Sequence, residues 1–181
     1  IKECCRAGKP VITATQMLES MTTSTSPTRA EITDVANAVF DGTSAVMLSG
    51  ESAAGMFPVE TVQAMAKIVH QAEIDAEEVN QYKFLEVESD EKDIANAIGH
   101  AACTTAKDIK AKAIIAVTTS GYTAEMMSKY KPVEKIIAAT PVEKTYHQQS
   151  LTRGVFPVLT DFSSDWDALM VDAAREAEKY G

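Results

Sequence analysis

The stretch Lys9–Gly55, KPVITATQMLESMTTSTSPTRAEITDVANAVFDGTSAVMLSGESAAG, sets the fold of the first half of the chain. It holds two short apolar runs, Val11–Ala14 and Ala45–Leu48, and a hydroxyl residue, Thr15 or Ser49, follows each run. A polar turn and a helical pattern come next in both cases, which is the βαβα order of a parallel sheet. In such folds the chemistry lies where strands end and loops begin, so we expect Thr15 and Ser49 to line the edge of an active site.

The second half of the chain repeats the alternation of helices and strands. Apolar runs at Ala113–Val117, Ile136–Ala139 and Val155–Leu159 alternate with helical patterns, in the order αβαβαβα of an open α/β sandwich with a mainly parallel sheet. An acidic segment without apolar periodicity, residues 77–93, separates the halves. We therefore predict a first domain over residues 1–76, a linker over 77–93 and a second domain over 94–181.

Three helix starts carry a capping signal. Thr28 with Glu31, and Thr140 with Glu143, have the spacing of a capping box, in which the threonine hydroxyl and the glutamate carboxylate satisfy backbone amides reciprocally. Ser164 is the predicted N-cap of the last helix.

Composition and charge exclude several classes of protein. The net charge of −9 argues against a nucleic-acid partner. Three cysteines, two of them adjacent, do not form a disulfide framework, and the scattered histidines do not make a zinc site. The sequence has neither an apolar run of membrane-spanning length nor a signal peptide, so we expect a cytoplasmic protein without membrane contact. The start at Ile1, without Met, suggests a piece of a longer chain.

Four blocks in one frame within Lys9–Gly55, ATQMLESM, PTRAE, DVANAV and MLSGE, closely resemble pyruvate kinase. The resemblance implies the last part of a (β/α)8 barrel followed by most of a regulatory C-terminal domain. It implies phosphoryl transfer from phosphoenolpyruvate to ADP in glycolysis, with Mg2+ and K+ and as a homotetramer. The metal and potassium ligands of the family, and its catalytic lysine, belong to earlier strands that this chain lacks, so no metal-binding residue is assigned and the chain alone is expected to be inactive.

The resemblance also implies roles for residues of the first half. The threonine matching Thr15 lies against the substrate, near the face of the enol that receives a proton, and the serine matching Ser49 belongs to the hydroxyl network behind it. The arginine matching Arg29 lies between subunits. Glu19 and Glu51 would lie on the substrate side or at the interface, whereas their position in loops is equally typical of solvated carboxylates.

A third set of hydroxyls follows the strand Ala113–Val117, at the start of a helix. Several hydroxyls, free amides and a helix N-terminus together can bind a phosphate, although an ordinary N-cap turn has the same composition. In pyruvate kinases this loop binds a phosphate of the activator. Because the loop lacks Arg and Lys, we expect a sugar monophosphate or nucleotide monophosphate effector. The predicted effector residues are Thr118, Thr119, Ser120, Gly121 and Thr123.

Two questions stay open on sequence alone. Two βα units cannot close a barrel, so residues 1–76 either complete their sheet with other chain or pack differently here. A different class of function, a stand-alone α/β module that senses a phosphorylated metabolite through Thr118–Thr123, is the alternative to a part of an enzyme.

Overall fold

The computed structural model describes residues 1–79, 94–161 and 166–179, except for the side chains of residues 166–169. The chain divides into two compact units, Ile1–Phe84 and Leu85–Gly181, and each is treated by itself. Within the described residues, no helix has both the length and the apolar character needed to cross a bilayer.

The first unit is built on two short parallel strands, with Ile12 opposite Ala45 and Ala14 opposite Met47. Helices follow both strands, as the apolar periodicity predicts. A short 3-10 helix at Glu19–Thr22 and a one-turn helix at Gly50–Ala53 were not predicted. The elements are α1 (Lys2–Arg6), β1 (Ile12–Ala14), a 3-10 helix (Glu19–Thr22), α2 (Arg29–Phe40), β2 (Ala45–Met47), α3 (Gly50–Ala53) and α4 (Pro58–Glu78).

The core of the first unit is formed mainly by the loop after β1 and by α2 and α4, with Val46 of β2 packed against it. Met17 and Leu18 from that loop pack with residues of α2 and α4, and these two helices contact each other. The apolar run Val11–Ala14 predicts a buried strand, and this is wrong, because Ile12 is 53% exposed; Met47 on β2 is 43% exposed as well. A sheet of two strands leaves such side chains uncovered. The buried cluster comprises Met17, Leu18, Met21, Val35, Ala38 and Met65.

The second unit contains a three-stranded parallel sheet, whose strands lie side by side in the order in which they follow along the chain. Register pairs Ala113 with Lys135 and Ile136 with Val155. The predicted alternation and the predicted parallel sheet are confirmed. The elements are α5 (Ile94–Ile109), β3 (Ala113–Val117), α6 (Tyr122–Lys129), β4 (Lys135–Thr140), α7 (Glu143–Gln149), β5 (Val155–Leu159) and α8 (Trp166–Glu178).

The central strand β4 forms the core of the second unit. Ile136, Ile137, Ala138 and Ala139 are all fully buried, as a strand covered by helices on both faces must be. Apolar side chains of α5, α6 and β3 complete the cluster, among them Cys103, Ile114 and Met127. This sheet therefore supports the loops at its carboxyl edge.

The capping predictions have mixed outcomes. The Thr28–Glu31 box is confirmed, with both reciprocal hydrogen bonds present. The Thr140–Glu143 box is wrong, because the hydroxyl of Thr140 accepts from the amide of Val142, only two residues on, and Val142 becomes the N-cap without a side-chain bond. Ser164 lies outside the described residues.

The predicted linker overlaps the end of a helix. α4 runs to Glu78, so the first two residues of the 77–93 segment are helical. Residues 80–93 lie outside the described part of the chain. The domain limits at 76 and 94 stay a prediction.

Candidate functional site

The first candidate site lies where β1 and β2 end. Register brings Ala14 opposite Met47, so the residues that follow, Thr15 and Ser49, leave the sheet at the same edge. Thr15 is exposed and has φ +72°, a left-handed conformation that is costly for a β-branched residue. Ser49 is half-buried and is the N-cap of α3. The predicted pair therefore shares one edge of the sheet.

The Glu51 carboxylate connects the two strand-end loops. One oxygen accepts from the amide of Ser49 at 2.7 Å, and the other accepts from the amide of Leu18 at 3.3 Å. Burial alone would raise the pKa of Glu51, but hydrogen bonds from backbone amides, including those of Ser49 and Leu18, outweigh it and lower the pKa. The interpretation of Glu51 as a solvated loop carboxylate is wrong, because the residue is 0% exposed. It is an ionised cross-link between the loops.

A second carboxylate, that of Glu31, fixes the loop after Thr15 to the start of α2. It accepts from the amide and hydroxyl of Ser20, at 2.7 and 2.6 Å, and from the amide and hydroxyl of Thr28, at 2.8 and 2.9 Å. Partial burial would raise the pKa of Glu31, but these bonds prevail and lower it to about 2. The sequence predicted the Thr28 half of this arrangement. Nothing in the spacing of the residues pointed to Ser20.

Glu19 and Arg29 lie outside this network. Both side chains are exposed, and no hydrogen bond among the described residues joins either of them to Thr15, Ser49 or Glu51. Arg29 is the first residue of α2, where the helix dipole disfavours a cation. Glu19 and Arg29 therefore belong to the exposed surface and not to the strand-end residues Thr15, Ser49 and Glu51.

The second candidate site is the loop between β3 and α6. The hydroxyl of Thr118 accepts from the amide of Gly121 at 2.9 Å, and the amide of Thr118 donates to Ala139 on β4. Thr118 is 6% exposed, so it shapes the loop from inside. Gly121 has φ +89° and is the N-cap of α6. Its left-handed conformation explains why glycine stands here.

The outer side of this loop carries the remaining hydroxyls. Thr119 and Ser120 are exposed and Thr123 is half-buried. The hydroxyl of Ser120 accepts from the amide of Tyr122 at 3.4 Å. The five predicted effector residues therefore split into an inner pair, Thr118 and Gly121, and three residues that solvent reaches.

Two side chains of α7 contact this loop region, and sequence reasoning missed both. The hydroxyl of Thr145 donates to the carbonyl of Thr119 at 2.8 Å, and the amide of Gln149 donates to the carboxylate of Glu125 on α6 at 3.0 Å. Thr145 is 5% exposed and Gln149 is 1% exposed. Polar residues in a short helix carry no sequence signal for such contacts.

The described residues contain no group of three or more His, Cys, Asp or Glu side chains that could hold a metal ion together. The carboxylates of Glu31 and Glu51 already accept from N–H or O–H groups of the chain. The arrangement suits positioning of loops and not chelation.

Comparison with known proteins matches both units. A family model for the barrel domain of pyruvate kinase matches residues 1–62, and one for the alpha/beta domain of pyruvate kinase matches residues 96–181. A pyruvate kinase of Clostridium acetobutylicum is 48% identical over 98% of this chain and 38% of its own length. That of Lactobacillus delbrueckii subsp. bulgaricus is 48% identical over 100% of this chain and 31% of its own length.

Solved structures agree with this assignment. A crystal structure of pyruvate kinase from Cryptosporidium parvum matches 98% of this chain and 36% of its own chain, with a TM-score of 0.93 and 40% identity. A Cryptosporidium parvum pyruvate kinase in complex with ADP matches 98% of this chain and 36% of its own chain, with a TM-score of 0.87 and 40% identity. The chain spans about a third of the length of the relatives it matches. It belongs to the pyruvate kinase family, with the end of the barrel domain followed by the alpha/beta domain.

Proposed function

We propose that the full-length protein carrying this chain transfers the phosphoryl group of phosphoenolpyruvate to ADP and protonates the resulting enolate to pyruvate. The family, and relatives named pyruvate kinase at 48% identity, support the reaction. The ADP complex of a structural relative supports ADP as the acceptor. In this proposal the present chain supplies the Thr15 and Ser49 side of the active site.

The observation that carries this proposal is the backbone at Thr15. Thr15 and Gln16 have φ values of +72° and +55°, directly after β1. Left-handed conformations of residues other than glycine cost about 1–3 kcal/mol each and cluster at functional sites. Strain at this threonine, next to loops that Glu51 holds together, supports a role in catalysis for its hydroxyl.

Thr15 suits the protonation step because a hydroxyl donates and accepts at once. The hydroxyl would give its proton to the enolate carbon, forming the C–H bond, and recover a proton from solvent, to which Thr15 is exposed. The lowered pKa of Glu51 keeps its carboxylate ionised at neutral pH. The carboxylate can therefore keep accepting the hydrogen bonds that join the two loops. Ser49, whose amide binds Glu51, completes the polar edge.

The family implies a divalent cation, and we propose Mg2+ together with K+ for the full-length enzyme; such cations stabilise the charge of the transferring phosphoryl group. The carboxylates of Glu31 and Glu51 do not fit that role, since both are engaged by N–H or O–H donors. In this proposal the metal ligands belong to other strands of the full-length enzyme.

The loop Thr118–Thr123 is proposed to bind the phosphate of an effector, a sugar monophosphate or a nucleotide monophosphate. The hydroxyls that solvent reaches, on Thr119, Ser120 and Thr123, are the donors available to it. Thr118 and Gly121 would shape the loop. Without a cation in the loop, binding should be weak and should fall with salt.

Assembly and location complete the proposal. We propose a cytoplasmic homotetramer in which Arg29 lies at the contact between subunits and Glu19 lies on the substrate side or at that contact. Arg29 is exposed, and the dipole of α2 disfavours its charge at the helix start. Both features support a contact of Arg29 with another subunit. The alternative of a stand-alone sensing module lacks support, because the barrel-domain match covers residues 1–62.

The test is Thr15→Ala in the full-length enzyme. Because a positioned proton donor typically contributes about 10²–10⁴-fold, kcat should fall by that factor while KM for phosphoenolpyruvate changes little. Thr23→Ala, an exposed threonine of the same loop, is the control and should match wild type. An unchanged kcat in Thr15→Ala would remove this residue from the mechanism.

A further inference from the structure

Two adjacent glutamines at the end of α7 have opposite environments. Gln148 is exposed, whereas Gln149 is 1% exposed. The amide nitrogen of Gln149 donates to Glu125, but its oxygen Oε1 has no hydrogen-bond partner among the described residues. A buried carbonyl without a partner costs free energy, and an apolar side chain of the same length would avoid that cost. Apolar packing of α7 alone therefore does not explain this glutamine.

The amide of Gln149 lies directly against the loop after β3. A Cβ atom placed on Gly121 would lie 2.1 Å from Nε2 of Gln149, so the amide fills the space that a side chain would need. The amide of Gly121 in turn donates to the hydroxyl of Thr118. Gln149 thus supports the residue that closes the turn.

A second contact reaches the loop from the same helix. Thr145 lies four residues before Gln149, so both side chains project from one face of α7. Its hydroxyl donates to the carbonyl of Thr119, at the opposite end of the turn from Gly121. The two buried side chains hold the segment Thr119–Gly121 at both ends.

We propose that Gln149, together with Thr145, positions the loop Thr118–Thr123 and so sets its affinity for a phosphate group that neither side chain touches. The loop-shaping role stands on the contacts above. The effect on affinity rests on the effector-binding function proposed for this loop. The phosphate affinity would follow the fraction of ligand-free molecules whose loop is already in the binding conformation.

The experiment compares Gln149→Met with Gln148→Met in the full-length enzyme. Methionine keeps the length of the side chain but removes the amide, and the same change at the exposed neighbour is the matched control. Hydrogen exchange of the peptide covering residues 116–124, measured without ligand, reports on the loop. Calorimetric titration with inorganic phosphate reports on affinity, and the thermal midpoint reports on global stability.

We expect Gln149→Met to speed exchange of the loop amides roughly tenfold, as the loss of about one hydrogen bond would, and to weaken phosphate binding by a similar factor. The thermal midpoint and kcat without phosphate should equal those of Gln148→Met. If the thermal midpoint falls, Thr145→Val is the second variant, because it removes the bond to Thr119 with little change in volume.

Loop exchange that stays at the wild-type rate in both Gln149→Met and Thr145→Val would overturn the positioning role, whatever happens to phosphate. Faster loop exchange with no phosphate binding by any protein would support the positioning role and overturn the effector function. Faster exchange with unchanged phosphate affinity would overturn the link between loop shape and affinity.

Discussion

The two units hold their loops in different ways. In the second unit the central strand is fully buried, with Ile136 and Ile137 both 0% exposed, and the loop at its edge stands on that packed sheet. In the first unit the strands are short and Ile12 and Met47 are largely exposed. There the loop after β1 buries Leu18 and Met21, and hydrogen bonds to the carboxylates of Glu31 and Glu51 fix it in addition.

This difference shows what each site depends on. Apolar burial is insensitive to pH, whereas a carboxylate that accepts several amide bonds stabilises the fold only while it is ionised. Glu31 and Glu51 both have lowered pKa values, and both join segments that are distant in sequence. The strand-end loops of the first unit should therefore respond to pH, whereas the stability of the second unit should depend mainly on the volume of its core.

The largest expected effect compares Ile137→Ala with Ile12→Ala. Loss of the buried side chain of Ile137 should destabilise the second unit by about 2–5 kcal/mol. Ile12→Ala, at an exposed position, should change the free energy of unfolding by no more than about 0.5 kcal/mol. Urea unfolding of the chain is followed by ellipticity and by fluorescence of Trp166, the single tryptophan, which lies in α8. An equal loss of unfolding free energy in the two variants would show that the two sheets do not differ in their dependence on burial.

A smaller effect concerns acid. Because the folded pKa of Glu31, about 2, lies below its ordinary value of 4.5, its contribution is complete above pH 4.5 and is lost as pH falls toward 2. Glu31→Gln should lower the stability of the first unit at pH 7 by about 1–2 kcal/mol. The stability of this variant should also decrease less steeply than that of wild type as the pH falls below 5. Hydrogen exchange of peptides from residues 16–40 at several pH values measures this. Glu60→Gln, on an exposed site, should keep the wild-type slope, and an equally steep acid slope in Glu31→Gln would contradict the assignment.

The smallest effect is expected at the exposed surface of α2. In the full-length enzyme Arg29→Ala should weaken the tetramer by about 1 kcal/mol, roughly fivefold in dissociation constant, since exposed ion pairs contribute little. Sedimentation at several concentrations measures it. Lys67→Ala, an exposed cation of α4, is the control. A wild-type dissociation constant in Arg29→Ala would show that the interface assignment is wrong.

Local signals predicted much of this fold, and contacts between distant segments account for what was missed. The Thr28–Glu31 box and the strands of the second unit follow from spacing within a few residues. The bond from Ser20 to Glu31 and the contact of Gln149 with Gly121 join residues that only the tertiary fold brings together. Thr140 is not the predicted cap because its hydroxyl accepts from the nearer amide of Val142. The spacing of residues alone does not show which amide the hydroxyl will bind.

The most direct test of the account is whether Thr15 moves the proton. In the full-length enzyme, with pyruvate, ATP and Mg2+ in D2O, NMR follows the loss of methyl protons of pyruvate, which exchange when the enolate forms and is protonated again. Thr15→Ala should slow this exchange by about 10²–10⁴-fold, and Thr23→Ala should leave it unchanged. Exchange in Thr15→Ala at the wild-type rate would contradict the central claim.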